Sequence, residues 1–321
     1  LLARSRRWIL ANRKPVRIGV VFAMWGEQNR LLPRSEDNPH GEDSLARKLE
    51  QLAWATEGST VDWHLYAVDD GCPHGSGRLA REIAAAHPLG DRVSVLDLAE
   101  ALPAATGPLA GLAGPNDSRK AGAIILGAMQ ALESGCDAVV YTDADNSVHL
   151  GQVGLLLEPF LDRNTSVVLG DRKHPDSVLV KEAARWGIGI KVLRHMQRMI
   201  GHEVFARGIL DTQAAFKLYR SDTLRTIIAE PTVYDFSFDT DWILAALRAG
   251  VPIEQVPFAF IDSAAESASI TQGPMTTWET LLFGLARQVR RYGFCEGAAE
   301  SMTRVLEEEI RDHHDLEKLI D

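Results

Sequence analysis

Apolar segments alternate with helical segments over the first half of the chain, and this order restricts the fold more than any other feature. The apolar segments are VRIGVVFAM (16–24), VDWHLYAVDDG (61–71), VSVLDL (93–98) and DAVVYTDADNS (137–147). Continuous apolar, β-branched runs are typical of strands buried on both faces of a parallel sheet. The intervening segments have helical spacing, at 44–56, 75–87 and 119–135. We therefore predict an α/β fold with a mostly parallel, Rossmann-like sheet and helices on both faces.

Acidic residues follow three of these predicted strands. The strand ends read Trp25-Gly26-Glu27, Asp69-Asp70-Gly71 and Asp143-Ala144-Asp145. Ligands of parallel α/β sheets bind at the carboxyl ends of strands, so we expect the three ends to lie on one rim. Alternate residues of a strand point the same way, which brings the carboxylates of Asp143 and Asp145 together.

Two carboxylates held this close are costly unless a cation lies between them. A hard divalent ion with open positions would satisfy the pair and would also hold a phosphate. The Asp143–Asp145 pair therefore predicts a site for Mg²⁺ or Mn²⁺ and a diphosphate. The same residue types are also typical of a solvated turn, and this alternative stays open.

Composition excludes several classes of protein. The formal net charge of -10 over 321 residues does not favour non-specific binding to nucleic acid. The three cysteines form neither a disulfide framework nor a zinc pattern, so we expect a reducing, cytoplasmic setting. No apolar stretch approaches the ~20 residues that span a bilayer, and we predict no integral membrane segment. The basic first 14 residues form either an interfacial helix of a membrane-peripheral protein or a helix packed on the domain.

Six motifs stand in the order of a known enzyme family. They are VVFAMWGE, AVDDGCPHGSG, RKAGAIILGA, YTDADNS, GDR followed by DTQAAFKLYR, and FDTDWILAALRAG. Over roughly residues 16–290 the chain resembles the GT-A-fold glycosyltransferases of family 2. The DTQAAFKLYR segment is similar to the polyprenyl-phosphate sugar transferase branch. The chain departs from that branch at Ala214-Ala215, where Cys-Gly is usual, and in its lack of membrane helices.

The resemblance implies transfer of a sugar from a nucleotide-sugar donor, a UDP- or GDP-sugar, to a small-molecule or lipid-phosphate acceptor. It places the divalent metal on Asp145 and Asp143. The residues that it implies for donor binding are Ala23, Trp25, Glu27, Asp70, Lys120, Asp143, Ala144, Asp145, Arg172 and Gln213. Structural roles remain as alternatives, with Glu27 as a cap, Arg172 in a surface ion pair, and Asp69 as a turn or helix-capping residue.

An inverting transfer needs a general base that takes the proton of the acceptor. The resemblance implies Asp241, which aligns with the Glu of the family's Phe-Asp-x-Glu helix. Asp239 is the second candidate, although it could instead cap the helix that follows. Asp211 is the third candidate, at the start of a predicted strand near the rim. A retaining transfer at the same donor site is an alternative outcome.

The second half is predicted to continue the same domain, since no linker cuts the chain. We expect strands at 166–173, 210–220 and 251–260, and helices at 181–201, 235–250 and 276–293. The resemblance divides the chain into a basic segment (1–15), a nucleotide-sugar-binding half (16–150), an acceptor and catalytic half (151–293) and a helical tail (294–321). The polar segment 262–275 is predicted to close over bound donor.

Two other classes of protein compete with the transferase. A haloacid-dehalogenase-type phosphatase also carries Asp-x-Asp after a strand, but that motif lies near the start of its domain, whereas α/β pattern precedes it here. A non-catalytic nucleotide-binding module is the other alternative, and the metal motif and base candidates argue against it.

Overall fold

The computed structural model describes residues 1–180, 190–231, 233–262 and 274–319. The described strands are β1 Val16–Met24, β2 Val61–Asp69, β3 Val93–Asp97, β4 Ala138–Thr142, β5 Val167–Asp171, β6 Val178–Val180, β7 Phe216–Arg220, β8 Ile253–Pro257 and β9 Ala259–Ile261. The described helices are α1 Leu2–Ala11, α2 Gln28–Leu31, α3 Ser44–Thr56, α4 Ser76–Ala86, α5 Ala121–Glu133, α6 Val153–Asp162, α7 Ile190–Ile200, α8 His202–Phe205, α9 Ser221–Ile228, α10 Phe238–Ala249, α11 Pro274–Arg291, α12 Ala298–Glu309 and α13 His313–Lys318.

The central sheet has seven strands among the described residues, in the order β3-β2-β1-β4-β7-β5-β8. Strand β7 runs antiparallel to β4 and β5, and the other pairs are parallel. The predicted mostly parallel α/β sheet is therefore confirmed. After β1 the chain forms β2 and β3 on one side of β1. It then returns to form β4 on the other side of β1. This reversal opens a crevice at the carboxyl ends of the strands, where α/β proteins bind ligands.

Alternate residues of the strands enter two apolar layers, one on each face of the sheet. In β1, Val20 and Phe22 pack with α1, α3 and α6, whereas Val21 packs with α5 on the opposite face. Helices α10 and α11 lie on the α5 face, where Trp242 of α10 is buried. Both faces of the sheet are thus covered, which explains why its strands read as continuous apolar runs.

Two elements differ from the sequence prediction, and a third is described only in part. The predicted strand at 210–220 begins only at Phe216, because Asp211 is held by Arg172 at the end of the sheet. The segment after Trp25, for which the sequence analysis predicts no element, contains the short helix α2. The predicted helix at 181–201 is described from Ile190 onward.

Other predictions stay untested. The closing segment 262–275 lies mostly outside the described residues, as does 181–189. The central sheet takes strands from both predicted halves of the chain, and the division at residue 150 stays a prediction.

The N-terminal helix α1 packs on the domain, as one of the two alternatives predicted. Ile9 is 0% exposed. The Ser5 hydroxyl donates to the carbonyl of Gly151 at 2.7 Å and accepts from the backbone N–H of Gly154 at 2.9 Å. Trp8 Nε1 donates to Asp162 at 2.8 Å. Within the described part of the chain, no helix has the length and hydropathy required to cross a bilayer.

We expect Ile9→Ala to lower the free energy of unfolding by about 2–5 kcal/mol, because the smaller side chain leaves a cavity between α1 and the sheet. Leu10→Ala is the matched control, since Leu10 is 37% exposed, and it should change stability by less than about 0.5 kcal/mol. Urea unfolding of the two variants measures the difference. Equal effects of the two substitutions would show that α1 does not contribute to the core.

Candidate active site

Lys120 connects the acidic ends of β2 and β4. Its backbone N–H donates to Asp70 Oδ2 at 2.7 Å, and its ammonium is hydrogen-bonded to Asp143. Ser118 holds the other carboxylate oxygen, because its hydroxyl donates to Asp70 Oδ1 at 2.6 Å. Lys120 adopts a φ of 78°, in a region that non-glycine residues rarely occupy. Such backbone strain is maintained only when surrounding contacts impose it, and it is frequent at functional sites.

The adjacent aspartates Asp69 and Asp70 have different partners. Asp69 accepts from the backbone N–H groups of Cys72 and Gly77, each at 2.6 Å, and so holds the turn into α4. The predicted turn and helix-capping role of Asp69 is confirmed. Burial raises the pKa of Asp70 to about 6, and the hydrogen bonds from Ser118 and Lys120 oppose that rise. Asp70 is therefore the member of the pair that joins the site around Lys120.

The carboxylates of Asp143 and Asp145 differ in how far neighbouring positive charges compensate their negative charge. Burial by itself would raise the pKa of Asp143, but the Lys120 ammonium lowers it below its usual value. Burial raises the pKa of Asp145, and the negative charge of Asp143 raises it further. One oxygen of Asp145 accepts from the backbone N–H of Ser147 at 3.0 Å. Asp145 is thus a half-buried carboxylate whose ionised form is destabilised by its surroundings.

This arrangement fits a hard divalent cation. The described residues contain no group of three or more His, Cys, Asp or Glu side chains that could hold a metal ion. Magnesium sites in enzymes of phosphate chemistry commonly use one or two carboxylates together with waters and substrate phosphates. Asp143 and Asp145 supply that number of carboxylates, and a cation beside Asp145 would relieve the repulsion that raises its pKa.

The remaining first-half positions lie at the end of β1. Trp25 is 41% exposed, and its ring meets His74 edge-on at a centroid distance of 5.8 Å. Glu27 is buried and accepts from Arg30 at 2.8 Å. Burial raises the pKa of Glu27, and Arg30 opposes that rise. Ala23 is half-buried in β1. Ala144 is buried between Asp143 and Asp145.

Two of the base candidates, Asp211 and Asp239, are held by cations. Arg172 donates to both oxygens of Asp211 through Nε at 2.8 Å and Nη2 at 2.7 Å. Burial would raise the pKa of Asp211, but Arg172 lowers it below its usual value. Asp239 accepts from the fully buried Lys217 at 2.6 Å. Burial raises the pKa of Asp239 to about 8, and the positive charge of Lys120 opposes the rise.

Asp241 lies in a different environment from Asp239. Burial raises the pKa of Asp241 to about 6, and a hydrogen bond with Tyr292 and the charge of Arg291 oppose this. Lys120 acts electrostatically on both Asp143 and Asp239, whereas the charges that act on Asp241 belong to Arg291 and Asp235. The charge of Lys120 therefore acts on Asp239 as well as on Asp143, whereas Asp241 is surrounded by a different set of charges. The choice of Asp241 that came from the resemblance stays a prediction.

Gln213 has an unsatisfied donor. Its Nε2 is buried and has no hydrogen-bond partner among the described residues. A buried amide without a partner costs free energy, and a ligand oxygen would satisfy it. Gln213 follows Asp211, the partner of Arg172, by two residues in the chain.

Sequence reasoning missed two buried lysines of this region. Lys217 is 0% exposed and donates to Tyr141 at 2.7 Å and to the carbonyl of Ala214 at 2.6 Å, besides Asp239. Lys48 is 0% exposed on α3. A signal for Lys48 was present, since it occupies the apolar stripe of α3 with Leu45 and Leu52 at helical spacing.

Known proteins resemble this chain in sequence and in structure. The chain matches no family model. It is 28% identical to the undecaprenyl-phosphate mannosyltransferase of Micrococcus luteus over 153 residues, which cover 47% of this chain and 60% of the relative. It is 28% identical to the polyprenol monophosphomannose synthase of Mycolicibacterium smegmatis over 205 residues, 62% of this chain and 67% of the relative. The chain thus spans less than two thirds of the first of these relatives.

Solved structures match over most of the chain. Mannosyl-3-phosphoglycerate synthase from Rubrobacter xylanophilus has a TM-score of 0.58 at 14% identity, covering 91% of this chain and 78% of that one. Glucosyl-3-phosphoglycerate synthase from Mycobacterium tuberculosis, in complex with Mn²⁺, UDP and glucosyl-3-phosphoglycerate, has a TM-score of 0.57 at 15% identity, covering 90% and 84%. The protein has a GT-A fold, and the predicted resemblance to GT-A glycosyltransferases is confirmed.

Proposed function

We propose that this protein is a glycosyltransferase that uses a nucleoside-diphosphate sugar and Mg²⁺ or Mn²⁺. One observation carries the proposal: Lys120 joins the acidic ends of β2 and β4 at the carboxyl edge of a GT-A sheet, beside Asp145, whose pKa stays raised. The names of the relatives and of the matched structures support a sugar transfer. The fold supports the transferase over the phosphatase considered above, since the matched chains are sugar transferases.

The residues of the first half bind the donor. Asp70 accepts from the ribose or base, and the exposed ring of Trp25 stacks on the base. Lys120 is the cation that pairs with the diphosphate. When bound by Asp143 and Asp145, the divalent cation supplies Lewis-acid stabilisation of the departing nucleoside diphosphate. A matched structure contains UDP with Mn²⁺, which supports a UDP-sugar as the donor. A GDP-sugar is the alternative donor.

Four cations in the second half support an acceptor that carries a phosphate. Partial burial lowers the pKa of Lys173, Asp211 opposes this, and three neighbouring cations lower the pKa further. These neighbours are Arg172, Arg194 and Arg198. Cations that lie close to one another are stabilised by an additional anion. The names of the relatives include a polyprenyl phosphate and those of the matched structures a phosphoglycerate, and both carry phosphate.

We propose Asp239 as the group that takes the proton of an acceptor hydroxyl in an inverting transfer. Its place in the network of Lys120 and Asp143 supports this role over Asp241. Its pKa of about 8 also supports it, because a base with a pKa near the working pH transfers protons efficiently. Lys217 holds the carboxyl group in place through its hydrogen bond of 2.6 Å.

A nucleotide panel tests the donor site. UDP, GDP, dTDP and CDP are each added with and without Mn²⁺, and thermal unfolding is followed. One nucleotide at about 100 times its dissociation constant should stabilise the native chain by ~2.7 kcal/mol in a metal-dependent way. Asp145→Ala should lose this shift. Asp37→Ala, an exposed acidic residue of the loop after β1, should keep it. Absence of a metal-dependent shift for every nucleotide would contradict the proposed function.

The acceptor site is tested with Arg198→Ala. Loss of one charged contact to a phosphate should raise KM for a phosphorylated acceptor at least tenfold, because a hydrogen bond to a charged group contributes about 1.5–3 kcal/mol. Lys191→Ala is the control, since Lys191 is exposed on the same helix. The probes are 3-phosphoglycerate and a short polyprenyl phosphate, which separate a soluble from a lipid acceptor. An unchanged KM for both probes would refute the phosphate assignment.

The pH dependence of kcat tests the proton acceptor. Asp239 must be deprotonated to act, so kcat should rise with pH and level off above about 8, where its pKa lies. Asp239→Asn should lower kcat by about 10²–10⁴, and Asp241→Asn should leave the profile unchanged. A profile that levels off near 6, together with loss of activity in Asp241→Asn, would assign Asp241 instead. Retained configuration of the transferred sugar, measured by NMR, would contradict an inverting transfer.

A further inference from the structure

The peptide group that follows Asp145 is held at both of its polar atoms by charged side chains. The Lys48 ammonium donates to the carbonyl oxygen of Asp145. The backbone N–H of Asn146 donates to Glu42 Oε2 at 2.8 Å. Both charged residues belong to the short segment 42–48 at the start of α3, and hydrogen bonds to ionised groups are about twice as strong as neutral ones.

The Asn146 side chain adds a third contact with the same segment. Its Nδ2 donates to the backbone carbonyl of Glu42 at 2.9 Å. Glu42 and Asn146 are 104 residues apart in the chain, so these bonds are purely tertiary. The loop that contains Asp143 and Asp145 is therefore attached to α3 on the side of the sheet opposite α10.

Glu42 is itself held by an arginine. Its Oε1 lies 3.3 Å from Arg30 Nε, and Arg30 also donates to Glu27 at 2.8 Å. Arg30 is only 7% exposed. The charged chain from Glu27 through Arg30 and Glu42 to Asn146 joins the end of β1 to the loop after β4. The segment between β1 and α3 supplies three members of this chain, namely Glu27, Arg30 and Glu42.

Lys48 is placed where an apolar side chain would pack well. It is 0% exposed, and its ammonium lies 5.6 Å from the centre of the Phe22 ring. Burial of an ammonium group costs free energy, and replacement of a buried ionic group by an apolar one of similar size is often neutral or stabilising. The contact of Lys48 with the Asp145 carbonyl therefore serves the loop rather than the core.

We propose that Glu42 and Lys48 are positioning residues that orient Asp145 toward the divalent cation. We call the two side chains the peptide clamp. The clamp immobilises the peptide group next to Asp145, so that the carboxylate has one direction in which to meet the cation and the diphosphate. This role rests on the proposed function, since it supposes that Asp145 binds metal with the donor.

Substitutions of Glu42 separate geometry from charge. Glu42→Ala removes the acceptor of the Asn146 N–H, whereas Glu42→Gln keeps an acceptor oxygen and removes the same negative charge. Glu36→Ala is the control, because Glu36 is an exposed acidic residue of the same loop. The measurements are Mn²⁺-dependent UDP affinity by calorimetry and hydrogen–deuterium exchange of the backbone at 143–148 without ligand.

The clamp predicts that Glu42→Ala weakens Mn²⁺-dependent UDP binding and accelerates hydrogen exchange at Asn146. Each change should be roughly tenfold, because losing a hydrogen bond to a charged group costs about 1.4 kcal/mol. Glu42→Gln should retain most of both properties, and Glu36→Ala should match the native chain. Equal losses of affinity in Glu42→Ala and Glu42→Gln would reduce the role of Glu42 to its charge and overturn the proposal.

In Lys48→Met, the lost charge and the lost contact should change the affinity for the divalent cation in opposite directions. Loss of a positive charge beside Asp143 and Asp145 would by itself strengthen cation binding, whereas loss of the clamp weakens it. We expect weaker Mn²⁺-dependent UDP binding in Lys48→Met, with a urea midpoint at or above that of the native chain. Stronger binding would overturn the part assigned to Lys48.

The exchange measurement keeps the clamp separate from the proposed function. If the native chain bound no nucleotide with Mn²⁺, the proposed function would fail, and exchange in the unliganded protein would still decide whether Glu42 holds the loop. Exchange at 143–148 that is the same in Glu42→Ala and in the native chain would overturn the clamp, whatever the nucleotide results.

Discussion

The two bonds of Lys120 are the contact on which the rest of the site depends. Its backbone N–H and its ammonium bind carboxylates from two different strands, Asp70 after β2 and Asp143 after β4. The strands that carry these aspartates flank β1 on either side, so the bonds close the crevice at the reversal of strand order. Without a cation at this point, several buried carboxylates would repel one another and the site would be protonated.

Charge compensation extends from Lys120 through buried lysines on both faces of the sheet. Lys217 pairs with Asp239 on the face of α10, and Lys48 binds the Asp145 carbonyl on the face of α3. Each ammonium is completely buried, which is costly unless its partners are fixed. Asp145 is left with a raised pKa despite these cations. Asp143 is thus the member of the Asp143–Asp145 pair whose charge the protein compensates more fully.

Much of the fold and part of the site were accessible to sequence reasoning. The strands at the start of the chain, the acidic strand ends and the turn role of Asp69 followed from local pattern. The choice between Asp239 and Asp241 did not. Residues two apart at the start of a helix point in directions about 200° apart, so only the packing of α10 decides which surroundings each carboxylate meets. Lys48 and Lys217 were missed because the sequence does not show which distant group pairs with a lysine that lies among apolar residues.

By itself, the sequence determined the α/β alternation and the acidic strand ends, because strand and helix periodicity and the end of an apolar run are local properties. Tertiary structure decided which charges meet. Glu42 reaches Asn146 across 104 residues, and Lys120 reaches Asp70 across 50. Such pairings depend on the order of strands in the sheet and on the packing of helices against it. The local sequence pattern determines neither the strand order nor the helix packing, because contacts between distant segments supply the energy that selects both.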